Sequence, residues 1–132
     1  MLFRSGEFAG LPPVQFPLVT EQMRRTYADP VAAVELGACA VSAVTCEMQL
    51  GLQIVEQSRR GGAFDYWLGS PDGDLFQGRA RLEVSGILKG ETAEVQGRLR
   101  DKLRRLSNQE SAWTTWVVVV EFSQPLVHMV RR

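Results

Sequence analysis

The chain has 132 residues, about the size of one domain, and its 45% hydrophobic and 23% charged residues are close to the globular average. This composition excludes an extended disordered or fibrous protein. Fifteen lysine and arginine residues balance fifteen aspartate and glutamate residues, so the formal net charge is zero. A neutral chain cannot bind nucleic acid or an acidic membrane by bulk charge, and such binding requires a local basic patch. Among the cationic residues only Lys89 and Lys102 are lysines.

The sequence carries no signal for a membrane protein or an exported one. No run of about eighteen apolar residues is present, so we expect no membrane-spanning helix and no membrane partner. Residues 1–10 lack the apolar core of a secretory signal peptide. Cys39 and Cys46 fall in one predicted helix with Cα atoms roughly 10 Å apart, which is too far for a disulfide. These features predict a cytoplasmic protein with reduced cysteines.

Helix signals dominate the first part of the chain. Residues 1–19 are rich in proline and show no sustained period, so we interpret them as an N-terminal arm and residues 20–132 as one domain. A capping threonine begins a short helix over 20–27. A longer helix over 29–49 begins with a capping aspartate followed by proline, and a glycine ends it.

Extended segments dominate the rest of the chain. Strands and one further helix are predicted in the order β 52–58, β 63–68, β 77–88, α 91–106, β 116–120 and β 126–130. Turn clusters at 60–62 and 70–74 separate the first three strands. The run at 116–120 is apolar on both faces, which is typical of a strand covered on both sides, and the last strand is expected at an edge. The order α-α-β-β-β-α-β-β predicts an α+β domain with a mixed sheet of about four to five strands flanked by helices.

Three carboxylates fall on these core elements rather than on loops. Glu35 lies beside the buried stripe of the long helix, Asp65 lies in the second strand and Glu83 lies in the third. Acidic side chains are rarely fully buried without a partner. Two carboxylates on adjacent strands and a third on the covering helix predict a site for a hard divalent cation with room for a phosphate. Each acid alone also fits an ordinary position, Glu35 on the helix surface at the edge of the core and Asp65 and Glu83 beside an arginine, so the order of the three is what indicates a site.

The order of elements and acids resembles the core of the PD-(D/E)XK nuclease-like, or restriction-endonuclease-like, superfamily over residues 29–122. In that superfamily an acid from the second core strand and an acid-x-lysine from the third bind Mg²⁺ and activate water for phosphodiester cleavage. A glutamate from the first helix often joins them. The resemblance implies Asp65 as the first acid, Glu83 as the second and Glu35 as the helix acid. It also implies Mg²⁺ or Mn²⁺ as the cofactor and DNA as the partner.

One position departs from the superfamily pattern. Where the pattern has lysine, this chain has Ser85, and a hydroxyl cannot supply positive charge to the attacking water or to the developing phosphorane. Arg81 on the same strand face and Lys89 just beyond the strand are the candidates to take over that catalytic role. Arginine suits proton transfer poorly because it stays charged.

Two further features fit contacts with nucleic acid. Arg98, Lys102 and Arg105 lie on the polar surface of the helix at 91–106, which is either a solvated face or a patch that follows phosphates. Trp67 shares a strand face with Asp65 and either stacks on a base or packs against a helix.

Three functions fit the sequence. The first is a metal-dependent nuclease that acts on DNA. The second is a catalytically inactive nuclease-like subunit that binds protein or nucleic acid, as a homodimer or in a larger assembly. The third is an unrelated small α+β structural protein whose acids are surface residues. Whether Glu35, Asp65 and Glu83 meet in one cleft, and which cation faces them, discriminates among the three.

Overall fold

The computed structural model describes residues 2–4, 7–10, 15–59, 64–70, 80–107 and 113–132. The predicted turn at 60–62 lies outside the described residues. The turn predicted at 70–74 is outside them after residue 70, and so are residues 77–79 of the third predicted strand.

The protein is an α+β fold with one mixed sheet, as the sequence predicts. In chain order the described elements are β1 (Leu2–Arg4), β2 (Glu7–Gly10), α1 (Glu21–Thr26), α2 (Pro30–Leu50), β3 (Gln53–Gln57), β4 (Tyr66–Gly69), β5 (Ala80–Ile87), α3 (Thr92–Ser107), β6 (Thr115–Glu121) and β7 (Leu126–Arg131). The sheet order is β1-β2-β7-β6-β5-β4-β3. Neighbouring strands are antiparallel except β5 and β6, which are parallel and joined through α3. The described part of the chain forms seven strands in this sheet, where about four to five were expected.

The two additional strands come from the segment interpreted as an arm. β1 and β2 pair with each other, and β2 pairs with β7 from Glu7 opposite Val130 to Gly10 opposite Val127. The strand predicted at the edge of the sheet is therefore an interior strand. β1 and β2 have three and four residues, too few to show an alternating pattern, and the sequence did not predict them.

The helix ends follow from their capping residues. The hydroxyl of Thr20 accepts a hydrogen bond from the Met23 amide at 3.1 Å, and the carboxylate of Asp29 accepts one from the Val31 amide at 3.0 Å. α2 ends at Gly51, whose φ of 66° lies in the left-handed region that favours glycine. The predicted starts of both helices and the predicted stop of the second are confirmed.

The two long helices cover opposite faces of the sheet. α2 contacts β5, β6 and β3, and α3 contacts β6 and β5. All seven residues of β6 are buried, as its continuous apolar run predicts. On the α3 side the core is built from Ile87, Val95, Leu99, Leu106, Val117 and Val119. α3 thus contributes an apolar stripe to the core, since Val95, Leu99 and Leu106 lie in it and Leu103 packs against it.

Gly86 permits the close approach of α2 to β5. A Cβ atom at this position would lie 2.7 Å from a methyl carbon of Val34 and 2.8 Å from its carbonyl oxygen. Only a glycine fits this contact without movement of the helix, so α2 is held directly above the second half of β5.

α2 buries one face and leaves the other exposed. Ala38, Val41 and Cys46 belong to the core, whereas Leu36 and Met48 are more than half exposed. Among the described residues, this is the one helix long and apolar enough to cross a membrane by length and composition. Its packing against β5 and β6 is that of a helix covering a sheet.

Candidate functional site

The candidate site lies where β4 stops pairing with β5. The pairing runs from Leu68 opposite Ala80 to Tyr66 opposite Leu82. Among the described residues, β5 has no strand partner on this side beyond Leu82. The second half of β5 therefore presents an edge between the two helices that cover the sheet.

Asp65 occupies the first position of this edge. Its backbone amide donates to the carbonyl of Leu82 at 2.9 Å, and its carbonyl accepts from the amide of Ser58 at 2.9 Å. Its carboxylate then accepts a hydrogen bond from the amide of Val84 at 2.7 Å. The side chain thus takes the place of the next strand residue, which fixes the carboxylate against the edge of β5.

Glu83 is held beside Asp65 on the α3 side of the sheet. Its carboxylate accepts a hydrogen bond from the ammonium of Lys102 at 2.5 Å. Burial raises the pKa of Glu83 and the charge of Asp65 raises it further, while the bond from Lys102 acts in the opposite direction. The net direction is upward, because two carboxyl groups share a partly buried site with one ammonium.

Ser85 is also contacted from α3. The guanidinium of Arg98 donates a hydrogen bond to its hydroxyl at 2.9 Å. Lys102 and Arg98 are four residues apart, one turn of α3, so both project from the same flank of the helix. Two cations of α3 therefore lie beside the strand position where the superfamily pattern has a lysine.

These groups meet in a cleft of about 590 Å³. One wall comes from the first half of α2, the floor is the edge of β5, and the other wall is the flank of α3. Among the residues that line it are Glu35, Asp65, Ser85, Arg98 and Lys102. Glu83 is not among the lining residues, and it is connected to the cleft through its ion pair with Lys102, which is.

Glu35 lies on the wall opposite Lys102 and is exposed. Within the described residues, no three or more His, Cys, Asp or Glu side chains are grouped closely enough to hold a metal ion. Glu35 thus shares a cleft with Asp65 without forming a three-acid ligand cluster. Its role as a metal ligand stays a prediction.

Arg81 and Lys89, the two cations that the sequence predicts for the catalytic role, lie outside the lining of the cleft. Arg81 is buried, with its side chain donating to the hydroxyl of Thr115 at 2.9 Å and lying over the ring of Phe64 at 5.2 Å. Lys89 is exposed in the loop after β5 and is not among the residues lining the cleft. The catalytic role of both residues stays a prediction.

The sequence predicts Lys102 only as part of a surface that binds nucleic acid, and it does not predict the contact of Lys102 with Glu83. The signal that could have found it is its place beside the apolar stripe of α3, one residue before Leu103. A long cationic side chain at the border of a buried stripe reaches inward towards the sheet.

Two other predicted nucleic-acid contacts have different surroundings. Arg105 is exposed on α3 near its C-terminal end. Trp67 packs edge-on between Phe64, at 4.8 Å between ring centroids, and Trp113, at 5.3 Å. These two rings belong to segments outside the helices, so neither predicted use of Trp67, stacking on a base or packing against a helix, is seen among the described residues.

The cleft also contains a cysteine and a tyrosine. The hydroxyl of Tyr66 donates to the sulfur of Cys39 at 3.4 Å, which raises the pKa of Tyr66 to about 12. Burial raises the pKa of the Cys39 thiol. A thiol with a raised pKa is a poor nucleophile at neutral pH, so this pair tethers α2 to β4 and does not activate the sulfur.

No family model, curated protein or solved structure matches the chain.

Proposed function

We propose that this protein is a divalent-metal-dependent nuclease that hydrolyses phosphodiester bonds of DNA in the cleft between α2 and α3. The observation that carries the proposal is the contact of Lys102 with Glu83 beside Asp65. It supplies from α3 the positive charge that Ser85 cannot supply from β5. The resemblance of the element order and of the acids to the PD-(D/E)XK superfamily supports the same function.

The donor set suits Mg²⁺ or Mn²⁺ better than Zn²⁺. Asp65 and Glu83 offer hard carboxylate oxygens, and no histidine lines the cleft. Mg²⁺ is commonly held by one or two carboxylates, with water and substrate phosphate completing its shell. Burial raises the pKa of Glu83 most and the charge of Asp65 raises it further, and a divalent cation bound to both carboxylates would favour their ionised forms. Asp65 and Glu83 would therefore hold the cation, with Glu35 across the cleft.

The reaction requires positive charge at a defined place. Water adds to phosphorus, the bond to the leaving sugar oxygen breaks, and that oxygen takes up a proton. A bound divalent cation polarises a phosphoryl oxygen and lowers the pKa of water. Lys102 stabilises negative charge that develops on the phosphoryl oxygens, and Arg98 orients the phosphate with its remaining donors. Both cations are preorganised by contacts with β5.

The two lysines of the chain provide a matched test. Lys102→Met should lower the Mg²⁺-dependent cleavage rate by about 10²- to 10³-fold, because one charged stabiliser of the transition state is lost. Lys89→Met removes the same charge from an exposed loop and should leave the rate unchanged. Lys102→Arg keeps the charge and should retain part of the activity. Cleavage of labelled single-stranded and duplex DNA measures the rates, and circular dichroism checks that each variant is folded.

The acids give a second test with a different readout. Asp65→Asn and Glu83→Gln should abolish cleavage and weaken Mn²⁺ binding, as measured by calorimetry. EDTA should stop cleavage by the unmodified protein, and added Mg²⁺ should restore it. Cleavage that survives both substitutions would contradict the proposal, as would equal rates for the Lys102→Met and Lys89→Met variants.

An inactive nuclease-like binding module is the second candidate. The specific observation in its favour is the hydrogen bond that Arg98 donates to the hydroxyl of Ser85. Arginine stays protonated, so it suits proton transfer at this position poorly. DNA binding without cleavage under any divalent cation would support this candidate. The fold would then serve recognition alone.

A further inference from the structure

A second group of cations lies on the other flank of α3, away from the cleft. A groove of about 550 Å³ runs between the second half of α3 and the end of β7. Its lining is Arg100, Leu103, Arg104, Val130, Arg131 and Arg132. Four of the six are arginines and none is acidic. In a chain of zero net charge, this is a concentrated local excess of positive charge.

The groove is built on fixed backbone. The amide of Arg132 donates to the carbonyl of Thr115 at 2.8 Å, and its carbonyl accepts from the amide of Thr115 at 3.1 Å. The guanidinium of Arg132 also donates to the carbonyl of Leu103 at 2.7 Å, which joins the end of the sheet to α3. This places Arg132 rigidly at the junction and leaves further guanidinium donors facing the groove.

The spacing of the cations suits a chain of anions. Arg100 and Arg104 are one helical turn apart, a rise of about 6 Å along α3. Arg131 follows on the opposite wall, so the charges line both sides of the groove rather than a single point. Leu103 and Val130 are half-buried and form the floor between them.

We propose that the groove between α3 and β7 binds the phosphate backbone of a nucleic acid. Guanidinium groups bind phosphates through paired donors, and all the charged residues that line the groove are arginines. A membrane surface is disfavoured because, among the described residues, none of the large exposed apolar side chains lies in the groove. An acidic peptide remains an outcome of the test. The two flanks of α3 are about 10–12 Å apart, so a nucleic acid longer than a few nucleotides would span groove and cleft.

The binding test separates this proposal from the nuclease proposal. Binding is measured by fluorescence anisotropy with labelled DNA of about 20 nucleotides, single-stranded or duplex, in EDTA and in the Asp65→Asn background, so cleavage plays no part. The groove variant carries Arg100→Gln, Arg104→Gln and Arg131→Gln, and it keeps Arg132 because that side chain joins α3 to β7. The control variant carries Arg24→Gln, Arg25→Gln and Arg59→Gln, three exposed arginines outside the groove. Both variants lose the same charge.

We expect the groove variant to bind DNA about tenfold or more weakly, with the slope of log affinity against log salt reduced by about 2. The control variant should change both quantities much less. Hydrolysis of bis(4-nitrophenyl) phosphate, a substrate too small to reach the groove, reports on the cleft alone and should be unaffected by the groove substitutions. Equal losses in the two variants would overturn the groove proposal, as would losses confined to polyglutamate or anionic vesicles. Failure of the small-substrate assay alone would count only against the nuclease.

Discussion

Glu121 is a fully buried carboxylate that joins two turns at one end of the sheet. It accepts hydrogen bonds from the amides of Gly90 at 3.2 Å, Ser123 at 3.0 Å and Gln124 at 2.7 Å, and from the hydroxyl of Ser123. Burial acts to raise its pKa, but these hydrogen bonds outweigh burial and leave the pKa lowered. The folded state therefore stabilises the ionised form.

We expect Glu121→Gln to lower the free energy of unfolding by about 2–3 kcal/mol. The amide nitrogen of the glutamine side chain would face backbone N–H groups that now donate to the carboxylate, and two donors cannot form a hydrogen bond. A lowered pKa also sets the pH dependence. The stabilisation is complete above the ordinary glutamate pKa of about 4.3 and is lost as pH falls through the lower pKa of the folded state. Urea denaturation at pH 7 and at lower pH measures both effects.

The exposed Glu91 provides the control for this residue. Glu91→Gln should leave the urea midpoint at pH 7 nearly unchanged, since surface substitutions of this kind have small effects. A Glu121→Gln variant as stable as the Glu91→Gln variant would show that the buried hydrogen bonds contribute little. So would a Glu121→Gln variant whose stability falls with acid as steeply as that of the unmodified protein.

At the candidate site, the sequence predicted which acids come together better than it predicted the cation. Asp65 was predicted within a strand and directly precedes β4, and Glu83 lies in the adjacent strand β5. Strand alternation alone places Glu83 and Ser85 on one face. Lys102 is on a helix that crosses over the sheet, and its reach to Glu83 depends on how α3 is rotated. A sequence pattern predicts which residues form the apolar stripe of a helix more readily than it predicts where a side chain beside that stripe points.

At the scale of elements, the approach of α2 to β5 depends on Gly86. We expect Gly86→Ala to destabilise the fold by about 1–3 kcal/mol, because the added methyl group would meet Val34 at 2.7 Å and force the helix outward. The same movement would widen the cleft on the α2 side. The free energy of unfolding from urea titration measures the first effect, and the DNA cleavage rate measures the second.

Gly97 on α3 offers a matched glycine in open space. An added Cβ there would meet only the end of the Arg100 side chain, at 4.0 Å. Gly97→Ala should therefore raise stability by up to about 1 kcal/mol, because alanine favours helix over glycine. If both substitutions changed stability in the same direction, the close contact at Gly86 would not be what positions α2.

The sequence predicted its elements from two kinds of signal. α2, α3, β5 and β6 carry a stripe or an apolar run, whereas α1 was predicted from its cap and the four-residue β4 from the turn clusters beside it. β1 and β2 were not predicted, and they are recruited by pairing along β7.

At the scale of the whole molecule, the zero net charge conceals a separation of charges. Asp65 and Glu83 lie at the edge of β5, and α3 carries cations on the flank that faces them and on the flank that faces β7. Long-range attraction of a polyanion is absent in such a molecule, and short-range contacts determine where a polyanion binds. The proposed binding of a nucleic acid should therefore depend on a few arginines, and their removal should weaken it strongly.

The sheet order makes the first strands part of the same cooperative unit as the core. Phe8 of β2 is 1% exposed, pairs with Met129 of β7 and belongs to the core beneath α2. Phe8→Ala should lower the free energy of unfolding by about 3–5 kcal/mol, because a large buried side chain leaves a cavity. Phe16→Ala removes the same side chain from a position that is 67% exposed, and should change stability by less than about 0.5 kcal/mol.

Hydrogen exchange separates a local effect of Phe8→Ala from a global one. If β1 and β2 unfold with the rest of the sheet, the substitution lowers protection along β7 and β6 together, since β2 holds one side of β7. If the two strands form an independent flap, only the amides that pair β2 with β7 lose protection, and the urea midpoint stays where it is in the Phe16→Ala variant. The burial of Phe8 among residues from α2, β6 and β7 favours the first result.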